Sequence, residues 1–443
     1  MAKIVFVGAG SFGFTRGLVR DVLTFPTTRD AELCLVDINK ERLRFAERMV
    51  RKIIGMGGYP ATVTATTDRR EVLKGADAVL VTILASPPEV FQYDFHIPKK
   101  YGVDVTIGDT RGPSGVFRFL RTIPHLEAIT RDMEELCPDA LLLNYTNPMA
   151  MLCHSLHRTT GVETTGLCHS VQGTAGLFEH WLKLPAGSLD YVCAGINHLA
   201  WYLKLERNGR NIYPRLRKRI ESDPEVYHHT PVRNELFLSL GYYVTESSSH
   251  QSEYSWWYRK RPDLIKQYST GPRGGAMPYA SLLKRYQKRK KTWRKALRDW
   301  LSEEAPISLE RGKEYAAAII HARLGGELFP FNGNVPNRGI VTNLPEGCCV
   351  EVPTVATRSG VKAIQVGDLP MSVLGLTHLT ANNHMLAVEG HLSRDPGLVF
   401  QAIAHDPLTA ANCSLAEARK MTGELFARFR RYLPQFKGKR IRL

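Results

Sequence analysis

Two dipeptides hold the residue types best suited to chemistry in this chain: Cys168-His169 and, further along, Asn197-His198. A thiolate and a neutral imidazole suit a borderline divalent transition metal. With only two protein ligands, the remaining positions would belong to substrate oxygens and water, the open site that Lewis-acid chemistry needs. On spacing alone, a buried thiol and a hydrogen-bonded core histidine account for the same pair. A second feature narrows the choice. At the N-terminus, Gly8-Ala9-Gly10-Ser11-Phe12-Gly13 forms a G-x-G-x-x-G string.

That string follows an apolar run, residues 3–8, and opens a segment suited to a helix. Glycines in this setting let the backbone turn sharply and approach a pyrophosphate at the helix N-terminus. Residues 32–37 form a second apolar run ending in an acid. Asp37, 24 positions after Gly13, would accept from ribose hydroxyls and repel a 2′-phosphate, so NAD is expected rather than NADP. Gly8, Gly10, Ser11, Phe12, Gly13 and Asp37 are therefore the expected cofactor contacts. A plain glycine turn with a solvated Asp37 is the competing reading.

These residues need a scaffold, and the pattern supplies one. Asn39 is placed to cap a helix whose apolar positions Leu43, Ala46, Val50 and Ile53 follow helical spacing. Residues 78–84 and 140–145 read as buried parallel strands, and residues 164–167 as another just before Cys168. This alternation predicts an α/β fold, a Rossmann-type doubly wound parallel sheet like that of lactate and malate dehydrogenases, over residues 1–192. After Cys193 the alternation stops. Residues 193–443 are expected to form an α+β domain for substrate, metal and oligomer contacts.

Composition limits the classes. With 43% hydrophobic and 23% charged residues in 443, the chain is globular and long enough for two or three domains. The start, MAKIVFVGAG, reads directly as a first strand, so export is not expected. No stretch approaches the ~18 apolar residues of a membrane span. Eight dispersed cysteines suit a reducing, cytoplasmic setting, and adjacent Cys348-Cys349 read as buried apolar packing. The net charge of +16 brings nucleic acid into consideration. Much of the excess crowds residues 284–298, where Leu283, Tyr286, Trp293, Leu297 and Trp300 recur roughly as one helical face. A solvated basic helix with one buried stripe explains that segment, and no nucleic-acid-binding motif accompanies it. Neither nucleic acid nor membrane is the expected partner.

Four strings then occur in order: Gly108-Asp109-Thr110-Arg111-Gly112-Pro113, Asn144-Tyr145-Thr146-Asn147-Pro148-Met149, Gly166-Leu167-Cys168-His169-Ser170-Val171-Gln172-Gly173 and Gly195-Ile196-Asn197-His198. With the N-terminal loop they resemble glycoside hydrolase family 4, the NAD- and manganese-dependent glycosidases. The resemblance runs from about residue 3 to 347–351. It is closest to the α-galactosidases of that family, through residues 168–174, 243–248 and Asn343-Leu344-Pro345. It implies NAD and Mn²⁺, or another divalent transition metal, as cofactors. It implies Cys168 and His198 as metal ligands, Asn147 at the sugar hydroxyls and Asp109 between cofactor and metal. Arg111, in the same loop as Asp109, is the arginine expected to face the substrate. Arg118 and Arg121 read equally well as helix-surface residues.

The family is an exception to two-carboxylate glycosidases. The chemistry the resemblance implies starts with hydride transfer from C3 of the sugar to NAD. The C3 ketone acidifies the C2 proton, a base removes it, and the C1 group is eliminated. Water then adds and the hydride returns, with no net redox change. His169 stands where some members carry an aspartate proposed to protonate the leaving oxygen. It is the expected acid, with an orienting role as the alternative. His250 is the expected C2 base, Glu253 and Tyr254 are the alternatives, and a loop that only shapes the pocket is the bland reading. The resemblance thus implies an α-galactosidase acting on small unphosphorylated oligosaccharides, assembled as a homodimer or homotetramer. An α-galacturonidase or α-glucuronidase, and a simple NAD-dependent 2-hydroxy acid dehydrogenase, are the rivals.

Overall fold

A computed structural model of the chain describes residues 1–269, 275–302 and 307–441. Six short segments form parallel strands: β1 Lys3–Val7, β2 Glu32–Val36, the threonine-rich edge strand β3 Thr62–Thr66, β4 Ala78–Val81, β5 Leu141–Asn144 and β6 Thr164–Leu167. Their order is β3-β2-β1-β4-β5-β6, the doubly wound arrangement expected from the sequence. Side chains of a strand alternate between faces, and in β1, β2 and β4 both faces are covered. Ile4, Phe6, Leu33, Leu35 and Leu80 enter one core. Val5, Val7, Cys34, Val36, Val79 and Val81 enter another. Each such buried aliphatic side chain stabilises the sheet by roughly 1.5–3 kcal/mol.

The second part of the chain extends the same sheet. It adds β7 Asp190–Ile196, β8 Leu199–Arg207, β9 Arg210–Asn211, β10 Phe329–Pro336, β11 Cys349–Thr357 and β12 Gly360–Ala363. β10 pairs antiparallel with β6 through Gly333↔Leu167 and Asn334↔Gly166. β11, β7, β8 and β9 follow outward, so the hydrogen-bonded sheet continues past position 192. This places the C-terminal end of β6, where Cys168 begins, close to the β7–β8 hairpin that carries His198.

Helix Lys40–Gly57 starts where Asn39 accepts a hydrogen bond from the Arg42 amide, and it buries Leu43, Ala46, Val50 and Ile53. The basic segment is helix Ser281–Leu301, with Leu283 and Leu297 buried. It lies against the nucleotide-binding half. Trp293 stacks on Phe12 at 5.5 Å between centroids, and Lys52 lies 5.4 Å above the Trp300 ring. Arg294 grips Glu41 with bonds of 2.7 and 2.6 Å, and Lys290 pairs with Glu89. Part of the positive charge is therefore answered within the molecule. All eight cysteines are free, with Cys348 and Cys349 buried as expected. Among the described residues no helix is long and apolar enough to cross a membrane.

Candidate active site

The glycine string forms the tight turn between β1 and helix Phe12–Leu23. Gly8 has φ +91°, and a Cβ there would lie 2.9 Å from the Thr82 backbone. At Gly10 a Cβ would come within 2.5 Å of the Asp37 carboxylate. Gly13 is different: beyond its chain neighbours and the backbone of its own helix, no atom lies within 4 Å of where its Cβ would stand. Ser11 is the N-cap residue, yet its hydroxyl donates to the Thr82 carbonyl at 2.8 Å instead of capping the helix. The helix start is thus left open beside an uncrowded glycine, as a bound pyrophosphate requires.

Asp37 is already engaged on its protein side. One oxygen accepts from the Gly10 amide at 2.8 Å, the other from the Asn39 amide at 2.8 Å. Arg42 donates to the Gly10 carbonyl at 3.1 and 2.6 Å. Its guanidinium sits 4.7 Å from the Phe12 ring and 4.9 Å from Trp293. Arg42 and Trp293 were not legible as neighbours of the loop. Trp293 lies some 280 positions after it in sequence, about as non-local as a contact can be.

The second set of residues gathers at the strand ends. Cys168 directly follows β6, and its thiol lies 3.2 Å from the Ser170 hydroxyl. His198 lies in the two-residue connection of the β7–β8 hairpin with φ +65°, a left-handed conformation costly for a non-glycine residue. Gln251 fixes it, donating to the carbonyls of His198 and Thr245. The Tyr254 hydroxyl lies 3.3 Å from His198 Nδ1, which turns Nε2 toward Glu246 Oε2 at 3.5 Å. Cys168, His198 and Glu246 each offer one ligand atom, all within 4.8 Å of one another. A soft thiolate, an imidazole and a carboxylate in such a cluster fit a divalent transition metal. Glu246, also at positive φ, +67°, is the residue the sequence reading missed. It lies in the 243–248 string, but only the folded chain brings it to Cys168.

Protonation follows from burial and neighbours. Burial pushes His198 down to about 4, so its ring is neutral at neutral pH. Burial, helped by Glu351 and Glu246, pushes the Cys168 thiol well up, so the metal-free protein holds it protonated. His250 is clamped between two acids, with Nε2 at 3.2 Å from Asp109 Oδ1 and Nδ1 at 3.2 Å from Glu246 Oε1. Burial opposes charge on His250, but Glu246 and Asp109 outweigh it and hold the ring protonated. For Asp109 burial again opposes charge, and His250 reverses the outcome, bringing it to about 2. The second oxygen of Asp109 accepts from Asn147 Nδ2 at 3.3 Å.

The structure therefore brings Cys168, His198, Asp109, Asn147 and His250 together. His169 stands at the rim, its side chain 63% exposed and Nδ1 3.5 Å from Glu314. Glu314 raises its pKa above the ordinary imidazole value. Three other residues point elsewhere. Glu253 accepts from the amides of Thr106, Ile107 and Gly108, and so anchors the loop that carries Asp109. Tyr254 is bound to His198 and to the Thr110 hydroxyl. Arg111 donates to Asp406 at 3.0 Å, the Tyr254 carbonyl at 2.8 Å and Thr380 at 3.1 Å. Those partners pin the loop to the C-terminal helices instead of aiming two of the three guanidinium nitrogens at a ligand.

The fold and site describe a nucleotide- and metal-using enzyme, and comparison defines its class. The model of family 4 glycosyl hydrolases matches residues 3–184, and that of the family's C-terminal domain matches residues 193–409. The chain belongs to this family of glycoside hydrolases. It is 38% identical to an alpha-galactosidase of Bacillus subtilis (strain 168), over 99% of this chain and 100% of that one. It is 34% identical to an alpha-galactosidase of Rhizobium meliloti (strain 1021), over 98% and 89%. The crystal structure of a 6-phospho-alpha-glucosidase from gut microorganisms, in complex with NAD and Mn²⁺, shares the fold. Its TM-score is 0.82 at 18% identity, covering 98% of this chain and 99% of that one.

Proposed function

We propose that this protein is an α-galactosidase that cleaves small α-galactosides by transient oxidation of the sugar, using NAD and a divalent metal. The observation that carries the reading is the convergence of Cys168, His198 and Glu246 at strand ends of the sheet whose first turn is an open dinucleotide loop. The two alpha-galactosidase relatives support the substrate, and the gut 6-phospho-alpha-glucosidase complex supports the cofactors.

Bound NAD supplies a hydride acceptor and the divalent ion a Lewis acid for the sugar oxygens. Cys168, His198 and Glu246 would hold the ion, and Gly8, Gly10, Ser11, Phe12, Gly13 and Asp37 the dinucleotide. Asn147 and Asp109 orient hydroxyls at the reacting carbons. Removal of the C2 proton is assigned to His250, which loses its Glu246 partner once that carboxylate holds the ion, takes the proton on its ring and is oriented by Asp109. His169, exposed and with its charged form favoured by Glu314, is assigned the proton given to the leaving oxygen. The reading includes a cytoplasmic location and a homodimer or homotetramer.

The test is hydrolysis of para-nitrophenyl α-galactoside with NAD, Mn²⁺ and a thiol reductant, each omitted in turn. Turnover should need all three. Deuterium at C2 should be lost to solvent during turnover. Cleavage that ignores NAD and metal, or full retention of the label, would remove the oxidative mechanism.

A further inference from the structure

Of the three arginines near the Asp109 loop, Arg118 is the one that forms no ion pair with a carboxylate among the described residues, whereas Arg111 pairs with Asp406 and Arg121 with Asp94. Arg111 is held as described, although its Nη2 lacks a partner. Arg121 makes a two-pronged ion pair with Asp94 and donates to Ser86. Arg118 is 7% exposed, and its Nη1 has no hydrogen-bond partner. The two carboxylates that act on it, Asp109 and Asp94, are already committed to His250 with Asn147 and to Arg121. A buried guanidinium nitrogen without a contact is uncommon in a folded protein and calls for a ligand or a structural reason.

Its position supplies the ligand. Arg118 lies on helix Gly112–Leu136, one turn after Ser114 and Gly115, and shares their face. Ser114 packs on Gly108, and Gly115 packs on the Thr110 backbone, so that face lies against the loop carrying Asp109. A long helical side chain leans toward the helix N-terminus, here toward the same loop. Phe91 lies beneath the guanidinium at 5.1 Å, and the Tyr286 hydroxyl of the basic helix hydrogen-bonds the guanidinium, leaving Nη1 without a partner. The group is thus walled on two sides, and Asp109 lies in its field.

We infer that Arg118 is a sugar-contacting residue of this pocket, its free Nη1 donating to an oxygen of the bound glycone. The inference rests on the galactosidase reading. A guanidinium serves both a neutral hydroxyl and a carboxylate, so the chemistry recognised is a sugar oxygen at the carbon facing Asp109's loop.

The experiment uses the NAD- and Mn²⁺-loaded protein with Arg118→Met and Arg118→Lys. Calorimetry measures binding of galactose and of galacturonate, and kinetics measures KM and kcat on para-nitrophenyl α-galactoside. In R118M, sugar Kd and KM should rise at least tenfold while NAD and Mn²⁺ affinity stay at wild-type values. R118K should fall between. A greater loss for galacturonate than for galactose identifies a C6 carboxylate as the preferred contact, and equal losses identify a hydroxyl; both support the inference. Wild-type sugar Kd and KM in R118M overturn it. Should R118M fail to fold, unchanged sugar Kd and KM in R118K overturn it equally. Wild-type protein that binds neither sugar and turns over no galactoside overturns the functional reading and this inference together.

Discussion

The Tyr254 hydroxyl stands 3.3 Å from Nδ1 of His198, on the side of the ring away from Glu246. A tyrosine that on sequence grounds competed for the role of base is thus bonded to His198, the proposed metal ligand. Groups that hold the far nitrogen of a ligating histidine fix its tautomer and direction, and their loss typically costs about 10–100-fold in metal affinity. Tyr254→Phe keeps the ring and removes the contact. Calorimetric titration of the metal-free variant with Mn²⁺ should show a loss in that range, with NAD affinity unchanged. Equal affinity for both proteins would leave Tyr254 as packing only.

Metal binding should release a proton. At neutral pH His198 is already neutral, because burial brings it to about 4, whereas burial keeps Cys168 protonated. The thiol must lose that proton to become a ligand. Mn²⁺ affinity should therefore rise about tenfold per pH unit between roughly pH 6 and 8. Titrations in buffers of different ionisation heat count the released protons. A flat profile would argue against thiolate ligation.

Asp37→Asn tests the cofactor choice. The amide oxygen can keep only one of the two bonds, from the Gly10 or the Asn39 amide, so the turn loses one bond, and the charge facing a 2′-phosphate is gone. NADP affinity should gain at least tenfold relative to NAD, the equivalent of about 1.4 kcal/mol. Fluorescence titration with both reduced cofactors measures the ratio, and an unchanged ratio would locate discrimination elsewhere.

Glu351 gives a stability signature. Burial is the main cause that lifts its pKa from 4.5 to about 8, against the Asn197 hydrogen bond and with help from Glu246. The folded protein keeps this proton across a window in which the unfolded chain has lost it. Its contribution to stability is therefore present below the unfolded pKa and is lost as pH rises toward about 8. The slope is at most about 1.4 kcal/mol per pH unit. In metal-free protein, Glu351→Gln should abolish this part of the decline, seen as a smaller fall in Tm between mildly acidic and mildly basic buffers. Parallel curves for the two proteins would disprove the assignment.

Much of the first half was open to reading. The strands at residues 3–8, 32–37, 78–84 and 140–145 announced themselves as apolar runs, each ending one to three residues earlier in the structure than the run itself. Asn39 announced its helix, because capping is a local interaction between a side chain and an amide three positions on. The basic helix was readable as a helix with one apolar stripe. Its resting place was not, since nothing near Trp293 in sequence points to Phe12. That Arg111 is tied down was hidden for a similar reason. Arg111 and Arg118 both sit by the Asp109 loop, and which one is tied down depends on Asp406 and Thr380 from the far end of the chain.

Local patterns, then, determined the dinucleotide turn, the parallel sheet and the ordered strings that carry Cys168, His198, Asp109 and Asn147. These depend on backbone geometry, periodicity and short spacing, which neighbouring residues specify. Tertiary structure alone decided that Glu246 joins Cys168 and His198, that His250 lies between two carboxylates, and that Glu253 accepts from three backbone amides. Those outcomes depend on burial and on charges brought close from distant positions. Both change a carboxylate or an imidazole by several units of pKa without altering a single residue of the sequence around it.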